Sequence, residues 1–244
     1  MGSLNDARRT EPDDTSMTNI AMIPARMGSQ RLRQKNLLPL RGVPLLVHAV
    51  RKCLAAGVFD EVWVNSEHDT FGEMALAEGA RFHKRPAELA NHVATSEQFV
   101  AQFLEAHACD RLFQVHSIAP LLTVGEITRF TEDMTAGGHD VMLSVVDEPL
   151  EAFCRGEAVN FTLSEKTNSQ DLAPVRRVAW AITGWRSETY LAAFRGGRCA
   201  TYDGRLGLHT VSRLAGHVIK TAEDLALAEA LYPLVHDAAP AMAG

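Results

Sequence analysis

Short apolar runs alternate with amphipathic stretches along this chain, and most of the amphipathic stretches are closed by glycine. This alternation constrains the fold more than any other feature. Ile20-Ala21-Met22-Ile23-Pro24 is an apolar run that stops at a loop, as a buried parallel strand does. Leu45, Leu46, Ala49, Val50, Cys53 and Leu54 then recur near a 3.6-residue period between Pro44 and Ala56, and Gly57 ends that helix. The same reading predicts a strand over Glu61–Asn65 and a helix over Asp69–Glu78 closed by Gly79. It places a helix over Thr95–Ala106 with Phe99, Val100, Phe103 and Leu104 on one face, and a strand over Arg111–Val115. A helix over Gly125–Thr135 and a strand over Asp140–Val146 complete the regular part. Alternation at this spacing implies βαβ crossovers. The fold class expected is therefore α/β: a mostly parallel twisted sheet, Rossmann-like, with helices on both faces.

From Asp147 to Val178 the pattern weakens, and this stretch reads as an inserted arm. Ala179–Ile182 resumes a strand, Ser187–Phe194 a helix, and His217-Val218-Ile219 a last strand. Thr221 followed three places later by Asp224 opens the C-terminal helix as a capping pair. Trp63 and Trp180, both in strands, are expected in the core. Residues 1–18 are polar and read as a disordered leader, 19–236 as one domain carrying the 147–178 arm, and 237–244 as a flexible tail.

The formal net charge is −6, which argues against a nucleic-acid or anionic-membrane partner. No apolar run approaches membrane-spanning length, and the N-terminus lacks a hydrophobic signal core. The four cysteines form no CxxC pair and read as reduced, mostly buried thiols of a cytoplasmic protein.

The chemistry concentrates in the loop after the first strand. Within Ile23–Asn36, Arg26, Arg31, Arg33 and Lys35 gather four cations in an otherwise acidic chain. Gly28 permits close backbone approach, and Ser29 and its neighbours offer donors. A polyphosphate needs both fixed positive charge and backbone donors. In an open parallel sheet such a loop lies at the carboxyl ends of the strands, where ligands bind. The spacing is not that of a Walker A loop. The GxGxxG turn that a dinucleotide-binding oxidoreductase would need is absent as well.

Ile23 to Asn36, with Leu40, Gly42, Pro44 and Leu45, resembles the signature loop of the CMP-sugar synthetases, the acylneuraminate and 3-deoxy-ulosonate cytidylyltransferases. Collinear matches continue at Ser66-Glu67, Arg85-Pro86-Ala87-Glu88-Leu89-Ala90, Gln114 with Ala119-Pro120-Leu121, Gln170-Asp171-Leu172, Thr221–Leu225 and Ala228-Glu229-Ala230. The resemblance implies a nucleotidyltransferase fold and transfer of CMP from CTP to a sugar acid or related acidic acceptor, with Mg²⁺ and release of pyrophosphate. It implies a nucleotide site built from Ala25, Arg26, Gly28, Ser29, Arg31, Lys35, Ser66 and Arg85. Arg26, Lys35 and Gln114 are implied at the chemistry, Gln114 near the acceptor, and Lys220, which departs from the family, is a further catalytic candidate. A homodimer contact through the arm from Asp147 to Arg177 is also implied.

The chain departs from the family where the chemistry is expected. Val218 and Lys220 stand in place of an Asp-x-Asp metal pair, which leaves the metal ligands unknown and the Mg²⁺ expectation in question. Gln30 replaces a lysine, Ala179-Trp180 replaces Asn-Gly, which gives Trp180 a second reading as a residue that fills part of the acceptor pocket, and His116, Ser117 and Ile118 alter the middle of the segment after Gln114. Two readings stay open: a working cytidylyltransferase with a rearranged site, in which Lys220 neutralises phosphate, or a degenerate, non-catalytic nucleotide-binding relative acting as a regulatory or partner subunit. His209 and His217 are placed near the site, and Asp203 and Asp224 are most simply a turn residue and a helix-cap acid.

Overall fold

The chain is described by a computed structural model over residues 17–28, 32–91 and 93–236. In chain order it contains β1 (Asn19–Pro24), β2 (Pro39–Leu40), β3 (Val43–Pro44), α1 (Leu45–Ala56), β4 (Glu61–Ser66), α2 (Asp69–Ala77), β5 (Arg81–Lys84), α3 (Ser96–Ala106), β6 (Arg111–Val115), α4 (Val124–Gly137) and β7 (Val141–Glu148). There follow β8 (Phe153–Cys154), β9 (Glu157–Ala158), β10 (Val175–Arg186), α5 (Ser187–Arg195), β11 (Leu206–Thr210) and α6 (Ala222–His236). One of three 3₁₀ turns among the described residues, Lys35–Leu37, links the loop after β1 to the β2–β3 hairpin.

Seven strands form one sheet in the order β11-β7-β10-β6-β1-β4-β5. β1 runs parallel to β4 and β6, β4 to β5, and β7 to β11. β10 alone is antiparallel, to β6 on one side and β7 on the other. The expected mostly parallel α/β sheet is thus observed.

Strand alternation sorts the core. Ala21 and Ile23 of β1 face one way, with Leu46, Ala49 and Val50 of α1 and Ile127, Phe130 and Met134 of α4. Ile20 and Met22 face the other, with Val100, Phe103 and Leu104 of α3 and Tyr190 and Ala193 of α5. Helices therefore cover both faces. A third cluster joins α6, through Ala228, to Leu40, Leu45 and Ile219. Gly57 closes α1 in the left-handed conformation at φ 65°, as its place after the last apolar position suggested.

Two strands of the seven-stranded sheet escape the sequence reading. β5 is a polar edge strand (Arg-Phe-His-Lys) without an apolar run, and β11 is the short Leu-Gly-Leu-His-Thr at the opposite edge. Conversely, His217–Ile219 forms no strand. The edge beside β7 is filled by β11, and the segment is tied to the stretch after β6 by a backbone bond, Ile219 N–H to Ile118 O at 2.8 Å, rather than by a strand ladder. β7 continues to Glu148 and β10 begins at Val175, so the ends of the expected arm belong to strands. The arm's own regular structure is the two-residue hairpin β8–β9.

The expectation that Trp180 is core is also corrected. The ladder between β10 and β7 shifts register between Val178 and Thr183. There Ser144 Oγ accepts the Ala181 and Ile182 amides at 3.2 Å each. Trp180 sits in this bulge at φ 54° and is 36% exposed. An aromatic residue in the left-handed region carries strain of about 1–3 kcal/mol, which the surrounding ladder must hold. Trp63 is half-buried rather than fully enclosed. Of the four thiols, Cys53 is buried and Cys109 half-buried, but Cys154 and Cys199 are exposed.

Candidate functional site

The loop leaving β1, the segment after β6 and the end of β5 converge at the carboxyl edge of the parallel strands. They enclose a pocket of about 260 Å³. Ala25, Arg26, Lys35, Asn36, Arg85 and His116 are among its walls. Ala25 extends β1 by one bond, donating its amide to Asn65 O at 3.0 Å, and this fixes where the loop departs.

Arg85 is the best-anchored cation. It is 3% exposed and donates to Ala25 O at 2.7 Å and to Glu67 Oε2 at 3.1 Å. Its guanidinium lies 4.9 Å from the Phe99 ring, within cation–π range. Glu67 also accepts the Met27 amide at 2.7 Å and the Ser66 hydroxyl at 3.3 Å. Burial pushes the Glu67 carboxyl up, but the Met27 amide, its own backbone amide and Arg85 outweigh this and hold it below the usual carboxylate range. Arg26, half-buried, donates to Asn91 O at 3.3 Å. Lys35 reaches across to Ile219 O at 3.0 Å. Among the described residues, Arg26, Lys35 and Arg85 are the charged side chains that line the pocket.

The loop is braced from below. Ser117 Oγ donates to Asn36 Oδ1 at 2.7 Å, and Asn36 Nδ2 donates to Arg26 O at 3.3 Å. Lys52 of α1 is buried and donates to Ala119, Pro120 and Leu122 carbonyls at 3.2, 3.0 and 2.9 Å, pinning the segment after β6. Burial lowers its ammonium to about 8. His116 faces the pocket with its imidazole pushed down to about 4, chiefly by burial and further by Lys35. It is therefore neutral at physiological pH, and its Nε2 accepts from the Gln114 side-chain amide at 2.7 Å.

The structure thus brings together Ala25, Arg26, Lys35 and Arg85 of the residues expected at a nucleotide, with Gln114 one hydrogen bond away through His116. Ser66 is fully buried behind Glu67 and does not line the pocket. Gly28 is exposed, and among the described residues, its chain neighbours aside, no atom lies within 4 Å of where its Cβ would stand. Ser29, Gln30 and Arg31 lie outside the described residues. Lys220 is exposed and does not line the pocket; its amide caps α6 by donating to Asp224 Oδ2 at 2.8 Å. His209 pairs with Asp133 at 2.6 Å and His217 hydrogen-bonds Asp224 O at 2.8 Å, so neither joins the walls. Asp203 is held by Arg198 at 2.9 Å. Asn36, Phe99 and Ser117 are wall residues that the sequence reading did not place there. Ser117 follows the end of β6 by two residues, whereas Asn36 in the 3₁₀ turn and Phe99 in α3 carry no such mark.

The cytidylyltransferase family model matches residues 20–184, well over half the chain and every strand that contributes to this pocket. The chain belongs to the cytidylyltransferase family. N-acylneuraminate cytidylyltransferase A of Danio rerio is 34% identical over 127 residues, covering 52% of this chain and 30% of that protein. Pseudaminic acid cytidylyltransferase of Campylobacter jejuni is 25% identical over 241 residues, covering 91% of this chain and 100% of its own. The chain spans less than half the length of the N-acylneuraminate relatives, between 21% and 45% of the first four. Among solved structures, CMP:2-keto-3-deoxy-manno-octonic acid synthetase in complex with CTP superposes with a TM-score of 0.68 at 18% identity, over 89% of this chain and 99% of that one. At that identity the likeness shows the cytidylyltransferase fold.

A metal does not fit this member of the cytidylyltransferase family in the way the resemblance implies. Among the described residues no three His, Cys, Asp or Glu side chains gather in metal-binding geometry. Among the described residues the pocket walls contribute no carboxylate, and Glu67 is committed to Arg85 and the Met27 amide. Hard Mg²⁺ wants carboxylate oxygens, and Val218 and Lys220 supply none.

Proposed function

We propose that the chain binds CTP in the pocket at the end of β1 and transfers CMP to a hydroxyl of an acidic, sugar-like acceptor, releasing pyrophosphate. One observation carries this reading: Arg26, Lys35 and Arg85 converge on a single pocket at the carboxyl edge of a parallel sheet, in a chain of net charge −6. The names of the cytidylyltransferase relatives support both the base and the acceptor class.

Little covalent chemistry falls to the protein in such a transfer. The acceptor oxygen forms a bond to the α-phosphorus, the bond to pyrophosphate breaks in line, and the hydroxyl proton leaves to solvent. Charge neutralisation and positioning supply the acceleration. Arg85 is already immobilised by Ala25, Glu67 and Phe99, so its charge needs no reorganisation when phosphate arrives. Gln114, fixed by neutral His116, orients the acceptor, and Ser29, Arg31 and Gly28 complete the phosphate loop.

The test is calorimetric titration with CTP, ATP and NAD, together with pyrophosphate release across a panel of sugar acids. CTP is expected to bind and to raise Tm, as linkage requires of a native-state ligand, while NAD does neither. A second reading is favoured by the missing wall carboxylates: a nucleotide-binding relative without turnover. CTP binding with no pyrophosphate from any acceptor selects it, and absence of CTP binding rejects both. We further propose a homodimer through the arm, where Leu150, Phe153, Val159 and Leu163 are exposed.

A further inference from the structure

At the edge of the sheet opposite the first pocket, where β6 begins and β10 ends, lies a cleft of about 220 Å³. Met17, Cys109, Asp110, Arg111, Arg186 and Glu188 line it, and none of them is a wall of the first pocket. The length of β6, about 16 Å at roughly 3.3 Å per residue, stands between the two.

Two guanidiniums are brought together there. Arg111 and Arg186 are paired across the antiparallel ladder of β6 and β10, and like charges directly opposite one another destabilise a sheet. Arg186 is exposed, and its Nε stands 3.5 Å from Asp140 Oδ1. Arg111 is the opposite case. It is 3% exposed, its Nε has no hydrogen-bond partner, and its Nη1 donates to Met17 Sδ at 3.2 Å, a weak acceptor. Among the described residues it enters no ion pair. Burial, and after it Arg186, lower the guanidinium from its usual range, and Asp110 offsets this only in part. A buried charge without a counter-ion is costly. The edge it presents matches the two oxygens of a carboxylate.

The remaining walls set how much charge the cleft accepts. Asp110 Oδ2 receives the Thr18 amide at 2.7 Å, and Glu188 is exposed in the first turn of α5. The Cys109 thiol, raised to about 11 chiefly by burial, adds no charge. Two cations and two acids make the walls formally neutral. One negative charge completes Arg111, whereas a second faces Asp110 or Glu188.

We propose that this cleft binds a small ligand through a single carboxylate, which takes the unpartnered Nε edge of Arg111 and is flanked by Arg186. Dianionic phosphate and polyphosphate are disfavoured by Asp110 and Glu188. The site thus differs from the first pocket in chemistry as well as in place, and it does not depend on the nucleotide reading.

The experiment follows Tm of the full chain in acetate, pyruvate and phosphate at an ionic strength held constant with chloride, and reads pyruvate affinity by calorimetry. Saturating acetate and pyruvate are expected to raise the wild-type Tm by about 2 °C or more over chloride, as a native-state ligand must. Arg111→Met keeps the buried stem and removes the charge. Its Tm in chloride is expected at or above wild type, and its pyruvate affinity falls about tenfold or more. Arg186→Gln, at an exposed position, weakens pyruvate about threefold or more. Lys35→Ala, in the first pocket, leaves the pyruvate response as it is, and the effect of phosphate is the same in wild type and Arg111→Met. An equal Tm in chloride and carboxylate overturns the inference, as does pyruvate affinity undiminished in Arg111→Met. Loss of the pyruvate response in Lys35→Ala overturns it too, by placing the carboxylate in the first pocket. A phosphate effect that disappears in Arg111→Met overturns the restriction to one charge. If Arg111→Met does not fold, Arg186→Gln decides, and undiminished pyruvate affinity there rejects the site.

Discussion

The Arg85 guanidinium holds the Ala25 carbonyl, the Glu67 carboxylate and the Phe99 ring at once, and all three contacts are largely shut away from water. Removing it leaves Glu67 buried with only its backbone and Ser66 donors. Arg85→Ala is therefore expected to cost about 3 kcal/mol or more in urea unfolding, the range for breaking one partner of a buried ion pair. CTP affinity should fall in parallel. Arg85→Lys keeps the charge but loses the forked geometry, and calorimetry should show it intermediate. Lys35→Ala removes a cation that also ties the loop to Ile219, and should weaken CTP at least tenfold with a smaller effect on Tm. The sequence made these cations legible as a cluster because charge density needs no tertiary information. It did not reveal His116, Asn36 or Ser117 as walls. Their roles depend on which strand ends meet, and a neutral histidine made so by burial carries no mark in the sequence. Trp180 was misread for a related reason: an aromatic residue inside a strand pattern is normally core, and only the bulge turns it outward.

Among the elements, α4 shows how a helix start can anchor a distant loop. Thr123 and Glu126 form a reciprocal capping box, and the second Glu126 oxygen accepts the Ser212 amide at 2.9 Å. Burial pushes the Glu126 carboxyl up, but its bonds from Thr123 and Ser212 outweigh this and leave it below the usual carboxylate range. A depressed carboxylate stabilises the fold fully above its unfolded value, near pH 4.3, and the contribution is lost as pH falls through the lower folded value. Glu126→Gln should thus cost about 1–2 kcal/mol at neutral pH and flatten the acid limb of stability measured by denaturant titration between about pH 5 and 2. Helices of this kind were readable from periodicity and closing glycines, because each carries its own apolar face and stop signal. Short strands were not. β5 and β11 are set by vacant sheet edges, and the apolar His217–Ile219 run lost the competition for the edge that β11 occupies. Thr221 and Asp224, by contrast, form the capping pair expected, with Thr221 N–H donating to Asp224 Oδ2 at 2.8 Å.

For the whole molecule, the arm leaves the end of β7 and returns at the start of β10, so it is rooted on the same carboxyl edge of the sheet as the first pocket. The proposed homodimer predicts a mass of twice 26.7 kDa by light scattering. A double Phe153→Ser, Leu163→Ser variant should return the monomer mass with its Tm little changed, since both side chains are exposed in the single chain. An unchanged dimer would place the interface elsewhere. The segment from His217 to Thr221 has a further consequence. Lys35 holds its Ile219 carbonyl, Ile118 holds its Ile219 amide, and Asp224 collects its last two amides, so a stretch without regular structure is stitched to both loops that floor the first pocket. Filling that pocket with nucleotide should consequently slow deuterium uptake at Ile219 through Thr221, far along the chain from any phosphate contact, and make the entry to the C-terminal helix a reporter of occupancy.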